Sequence, residues 1–113
     1  YQKLRGWYST SLASLSPGYV GLSITQSLGF GIPMIYSRNE PHAPEIVAAK
    51  DGWNCLIFET DSADDCAAKM CQMHRDRQDW ISRTSAISED CRQRFSVERM
   101  ADEFVRAITG HAE

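Results

Sequence analysis

The stretch SLASLSPGYVGLSITQSLGFGIPMIY, residues 11–36, decides the fold. Residues 11–15 are a short, mostly apolar run stopped by Ser16, Pro17 and Gly18, which is the pattern of a buried strand feeding a turn. Residues 20–30 then place Leu22, Ile24 and Leu28 on helix faces that can be buried, and Gly29 and Gly31 stand where glycines end helices. Residues 32–36 have the length and apolar content of a second buried strand, with Pro33 tolerated near its start. Two strands joined by a helix within this span cannot form a hairpin, so they are expected to be parallel neighbours with a right-handed crossover. That is a Rossmann-like unit.

Outward from this unit the chain keeps alternating. Upstream, residues 4–8 suit a helix end carrying Leu4, Trp7 and Tyr8. Downstream, SRNEPHAPE is a loop, with Pro44 opening a short helix to Lys50 that Asp51 and Gly52 end. Residues 54–59 form a third strand suited to a sheet edge. From Asp61 the pattern becomes helical. Ser62 with Asp65 resembles a capping box, and Ala63, Cys66, Ala67, Met70 and Met73 recur at helical spacing. A second helix starting at residues 76–79 is expected to turn Trp80, Ile81, Ile87 and Cys91 inward. A third, capped by Ser96 and ended by Gly110, carries an apolar stripe of Val97, Met100, Ala101, Phe104, Val105 and Ile108, read as core contacts. The expectation is an α/β fold: a partial Rossmann-like parallel sheet of about three strands and about five or six helices. Residues 1–60 hold the strand and helix units and residues 61–110 the terminal helices. Doubly wound sheets ordinarily need about five or six strands to bury both faces, which implies that earlier strands precede Tyr1.

Composition narrows the function classes. The 113 residues are 42% hydrophobic and 24% charged, with net charge −3 and a pI near 5.6, which leaves no strongly basic face for nucleic acid. The opening YQKLRGWYST lacks the apolar core of a signal peptide, and no run approaches the roughly 20 residues that cross a bilayer. The reading is a cytoplasmic chain, with at most peripheral contact with the inner face of the membrane. Cys55, Cys66, Cys71 and Cys91 match no C-x-x-C spacing and read as reduced structural thiols. No His, Cys and carboxylate cluster has metal-site spacing, and His74 and His111 are expected to be solvated.

The chemistry concentrates in the turn after the first strand. In open parallel sheets, ligands sit in the crevice beyond the carboxyl ends of the strands. Gly18 and Gly21 lie there, and glycine lets a main chain approach a ligand closely. The first free amides of the following helix, at Gly21, Leu22 and Ser23, would meet an anion such as a pyrophosphate with the positive end of the helix dipole. His42 and Glu45, in and after the loop that follows the second strand, fall on the same side by the same rule. Their plainer roles are a surface loop residue and a carboxylate favouring a helix N-terminus, the latter worth about 0.3–1 kcal/mol.

The order P-G-x-V-G-L, helix, G-x-P-x-I, P-E-I and D-G-x-N-x-L-I-F resembles the C-terminal domain of family 4 retaining glycosyltransferases of the two-domain GT-B type, from residue 1 to residue 108. That family's signature runs E-G-F-G-L, a second glutamate after seven intervening residues, G-x-P-V-I, P-E, D-G-x-N-G-L and F-S-W-E. Here Gly31-Ile32-Pro33-Met34-Ile35, Pro44-Glu45, Asp51-Gly52 with Asn54-Cys55-Leu56, and Phe95-Ser96-Val97-Glu98 occupy the matching places. The resemblance implies that the amides of Gly21, Leu22 and Ser23 contact the diphosphate of a nucleotide-sugar donor. It also puts Gln26 at the ribose and Gly18 at the position that faces the sugar, while His42 and Glu45, on the ligand side by the topological rule, could touch the donor sugar. Both family glutamates are replaced, by Gly18 and Gln26. Gln26 keeps a hydrogen-bonding amide, whereas Gly18 supplies no side chain. A subgroup of bacterial polysaccharide-biosynthesis transferases is similar to this P-G-x-V-G-L form.

The expectation is the donor-binding segment of a retaining transferase in polysaccharide assembly, with no cofactor beyond the nucleotide sugar as substrate. The glycan or lipid-linked acceptor would be held by an N-terminal domain outside this sequence, and no catalytic residue is assigned. The 113 residues alone are expected to be inactive. The alternatives are a non-catalytic Rossmann-like binding or interaction module and, more remotely, a sugar-nucleotide epimerase of related fold.

Overall fold

A computed structural model describes residues 11–95, 101 and 105–109. Three strands, β1 (Ser14–Ser16), β2 (Met34–Ser37) and β3 (Cys55–Phe58), form one parallel sheet in the order β1-β2-β3. Helix α1 (Ser23–Gly29) connects β1 to β2, and a 3-10 turn (Pro44–Ala48) lies between β2 and β3. Helices α2 (Ala63–Arg75), α3 (Arg77–Ser82) and α4 (Thr84–Phe95) follow. The fold is α/β, as its period pattern predicts, and its parallel sheet with helices is Rossmann-like in part.

The strands read as they do because both faces of the sheet are covered. Met34 and Tyr36 of β2 and Cys55 of β3 join Val20, Ile24, Leu28, Ala48, Ile87 and Cys91 on one face. Ile35, Leu56 and Phe58 meet Met73 and Trp80 on the other. Every residue of β2, the central strand, is therefore buried, as a near-continuous apolar run in a parallel sheet requires. β1 differs: Leu15, at its middle, remains 48% exposed.

Element boundaries shift where one backbone group is unavailable. Pro33 has no N–H for the ladder, so β2 starts at Met34 and not at residue 32. β1 correspondingly pairs only from Ser14, whose amide donates to the Pro33 carbonyl at 2.9 Å. The helix expected from residue 20 begins at Ser23, because Val20 is held by the loop after β2. The short helix expected to reach Lys50 stops at Ala48: the Lys50 amide turns to Asn54 Oδ1 at 2.7 Å. Asn54, buried before β3, also donates to the Ala48 carbonyl at 2.9 Å, so the Asn of D-G-x-N closes this turn.

Helix α1 ends in a Schellman motif. The Gly31 amide donates to the Leu28 carbonyl at 2.8 Å and the Ile32 amide to the Ser27 carbonyl at 3.0 Å, with Gly31 at φ +79°. Buried Ser27 donates its hydroxyl to the Ile32 carbonyl and accepts from Ser14 Oγ, each at 2.7 Å, tying β1 to the end of α1. Ser62 caps α2 by accepting the Asp65 amide at 3.1 Å. The return half of the expected capping box is not made: Asp65 Oδ2 accepts from the Glu59 amide at 2.7 Å instead, anchoring the end of β3. That hydrogen bond holds the Asp65 carboxyl below its ordinary range, with Lys69 assisting.

Several expected core positions face solvent, among them Leu22, which stands at the cap before α1 and is 73% exposed. Trp80 takes the inward place on the single short helix α3, and the next residue, Ile81, rotated by one helical step, is 56% exposed. Arg83 breaks α3 from α4 and stacks over Trp80, 4.7 Å from its ring centroid. On α2 only Met73 is buried and Cys66 half-buried, while Ala63, Ala67 and Met70 are exposed, because a sheet of three short strands is too narrow to cover the whole helix. Ala101, Val105 and Ile108 of the terminal stripe are likewise exposed. The helix end at residues 4–8, the Ser96 cap, Val97, Met100, Phe104, Gly110 and His111 lie outside the described residues.

All four cysteines are free thiols. Cys55 and Cys91 are buried, Cys66 is half-buried and Cys71 is exposed, so the structural reading fails for Cys71, which lies on the outer side of α2. Burial pushes Cys55 up to about 12 with Asp51 reinforcing it, raises Cys91 against the pull of Arg94, and lifts the Tyr36 hydroxyl to about 12. No helix among the described residues is long and apolar enough to cross a membrane.

Candidate functional site

The turn from β1 to α1 sits at the carboxyl end of the parallel sheet, where a ligand crevice belongs. Leu22, the residue before the helix, offers no side-chain cap, and the first turn holds no acidic residue. The amides of Gly21, Leu22 and Ser23 have no acceptor among the described residues. Three donors thus stand open at a helix start, in a turn where Leu22 is 73% exposed and Ser23 is exposed as well.

The two glycines of this turn are not demanded by backbone conformation, since neither has a positive φ. At Gly18 a Cβ would meet nothing within 4 Å, so the space beside it is open. At Gly21 a Cβ would lie 3.0 Å from Tyr19 Cε1, so the tyrosine ring flanks the glycine and a side chain there must push it aside.

Gln26 is exposed one turn along α1. It opens, with Leu22, on a groove of about 560 Å³ whose other wall is Cys91, Arg92 and Phe95 of α4. Ser88 Oγ donates to the Gly29 carbonyl at 2.7 Å and Cys91 Sγ to the Thr25 carbonyl at 3.4 Å. Helix α4 therefore runs antiparallel to α1 and delivers Phe95 beside the start of α1. Glu45 stands in the first turn of the 3-10 helix, which packs against α1, and its Oε2 is buried without a hydrogen-bond partner among the described residues.

His42 is brought directly to the turn. Its Nδ1 accepts from the Val20 amide at 3.0 Å and its Nε2 donates to the Ser37 carbonyl at 2.8 Å, with Tyr36 edge-on at 5.2 Å. Both ring nitrogens are thus committed to the backbone, a role that the surface-loop reading does not contain. Beside it runs a second polar chain that sequence reasoning missed. The Asn39 amide donates to Thr60 Oγ1 (2.7 Å), Thr60 Oγ1 lies 2.9 Å from Ser37 Oγ, and Ser37 Oγ donates to Glu40 Oε1 (3.2 Å). Arg38 and Glu59, at 2.9 Å, close the same sheet end. Only the placement of Ser37 and Thr60 just at or beyond the ends of adjacent strands hints at this in the sequence.

No group of three or more His, Cys, Asp or Glu side chains positioned for a metal ion occurs among the described residues. Compared with protein-family models, with curated proteins and with solved structures, the chain finds no match in any of the three.

Proposed function

We propose that this chain is the donor-binding part of a nucleotide-sugar-dependent glycosyltransferase of the GT-B type, with the β1–α1 turn receiving the diphosphate. The observation that carries the reading is the open row of amides at Gly21, Leu22 and Ser23, at the carboxyl end of a parallel strand and with no acidic side chain in the turn to repel an anion. A hydrogen bond from a neutral donor to a charged group contributes about 1.5–3 kcal/mol, so a diphosphate engaging two or three of these amides is bound appreciably. The open space at Gly18 leaves room for the sugar side of the donor, and exposed Gln26 offers an amide to a ribose hydroxyl. The ordered likeness of G-x-P-x-I, P-E and D-G-x-N to the family 4 pattern adds to this. In such a scheme catalysis is chiefly electrostatic, the amides meeting charge that develops on the departing diphosphate. The acceptor, a glycan or lipid-linked hydroxyl, and the remaining catalytic groups belong to a further domain. Cytoplasmic placement, with peripheral contact at the membrane, follows from the same reading.

The loss of both family carboxylates, at Gly18 and Gln26, favours a second reading as a non-catalytic Rossmann-like binding or interaction module that keeps the fold without the nucleotide site. Calorimetry separates the two. Titration of UDP, GDP or ADP into the chain is expected to give saturable binding that Gly21→Val weakens at least about tenfold, the loss of roughly one charged hydrogen bond. Gly18→Ala, in open space, is expected to fold normally and bind the diphosphate unchanged. Absence of nucleotide binding in the chain together with its N-terminal domain overturns the transferase reading. Turnover of a nucleotide sugar by the 113 residues alone contradicts the division of labour proposed for the two domains.

A further inference from the structure

His42 joins two parts of the fold through a ring that can change charge. The Val20 amide can only donate and the Ser37 carbonyl can only accept, so the ring carries its one proton on Nε2 and is neutral in this geometry. Val20 is fully buried and immediately precedes the open turn; its carbonyl accepts from the Ala43 amide at 2.8 Å. Both backbone groups of Val20 are therefore held by residues 42 and 43, and one of those two bonds is made by an imidazole. An imidazolium has hydrogen on both nitrogens. Its Nδ1–H would confront the Val20 N–H, donor against donor, and the ring would have to leave.

We propose that His42 is a proton-operated latch: neutral, it clamps Val20 and fixes the Gly21–Ser23 turn, and protonated it releases the Val20 amide and loosens that turn. Histidine is the side chain whose ordinary charge change falls between about pH 5 and 8. The surroundings leave this event to His42. Helix α1 has no ionisable side chain, and the β1–α1 turn contributes only Tyr19. On the sheet side stands Tyr36, with a buried hydroxyl; in the loop, Glu40 is taken by Ser37 and Arg38 by Glu59; in the 3-10 helix stands Glu45. The latch stands whatever ligand the turn takes; only its effect on a bound diphosphate rests on the function proposed above.

The test is nuclear magnetic resonance of the ¹⁵N-labelled full chain between pH 8 and pH 5, following the imidazole nitrogens and the backbone amides together. His42 Nδ1 is expected to appear unprotonated at pH 8. The His42 ring and the Val20 and Gly21 amides are expected to move through one midpoint, and Val20 amide exchange, corrected for its intrinsic rate, to rise about tenfold as one hydrogen bond is lost. Exposed His74, on α2, serves as the internal control. His42→Asn, whose amide oxygen accepts in place of Nδ1 and takes up no proton, is expected to keep the turn closed across the range. The proposal is overturned by a ring protonated on Nδ1 at pH 8, by titration that leaves Val20 still, by a ring that stays neutral until the chain unfolds, or by a His42→Asn variant that retains the response.

Discussion

Replacing Gly31 by alanine tests the packing of the two helices that shape the candidate site. Gly31 sits at φ +79°, in the left-handed region, where a side chain costs about 1–2 kcal/mol. A Cβ there would also strike the backbone carbonyl and methyl of Thr84, at the first turn of α4. Backbone cannot swing away as a side-chain tip can, so relief requires α4 to move off α1, and overpacking of this kind costs about 1–3 kcal/mol. The two terms together predict a loss of about 2–5 kcal/mol for Gly31→Ala. Gly31→Asn, which tolerates the left-handed conformation better, should recover part of the first term and none of the second. Gly29, two residues earlier, is the internal comparison: it is helical, a Cβ there meets nothing within 4 Å, and Gly29→Ala should stabilise by up to about 1 kcal/mol. Urea unfolding followed by circular dichroism measures all three, with a common slope against denaturant confirming that the unfolded surface is unchanged. A Gly31→Ala variant as stable as the parent, or one less perturbed than Gly29→Ala, refutes the close approach of α4 to the end of α1.

Two further outcomes follow from the thiols and from Asp65. In the folded chain, alkylation is expected to label exposed Cys71 first and half-buried Cys66 more slowly, with Cys55 and Cys91 protected by burial and raised thiol values until unfolding; mass-mapped labelling with iodoacetamide reads the order, and early modification of Cys55 contradicts the sheet packing. The Asp65 carboxyl titrates below its ordinary range chiefly through the Glu59 amide, so its contribution to stability is present above the unfolded value, about 3.9, and is lost as pH falls through the lower folded value. Asp65→Asn keeps an acceptor for that amide without a titrating proton, and should flatten the decline of the melting temperature below about pH 4; an unchanged acid limb rules out this anchor.

Much of the fold was legible in residues 11–36, because apolar runs of strand length flanking a glycine-ended helix leave parallel pairing as the only economical arrangement. Ser62 and Gly31 announced a helix start and a helix end by chemistry that is local to one turn, and both act there in the structure. The open amides at Gly21, Leu22 and Ser23 were equally readable, since the absence of a capping side chain is a property of a few consecutive residues.

Where distant residues meet, the pattern alone fell short. Periodicity shows which face of a helix is apolar but not how much surface lies opposite it, so Ile81, Met70, Val105 and Ile108 read as core and stand in solvent. His42 shows no local signal because its partners, Val20 and Ser37, come together only when the loop after β2 folds back over the turn after β1. The order of elements and their caps were set by the chain's short-range chemistry. The width of the sheet, the exposure of its helices and the twice-bonded histidine behind the turn were decided by tertiary packing, because each depends on groups separated in the chain and adjacent only in space.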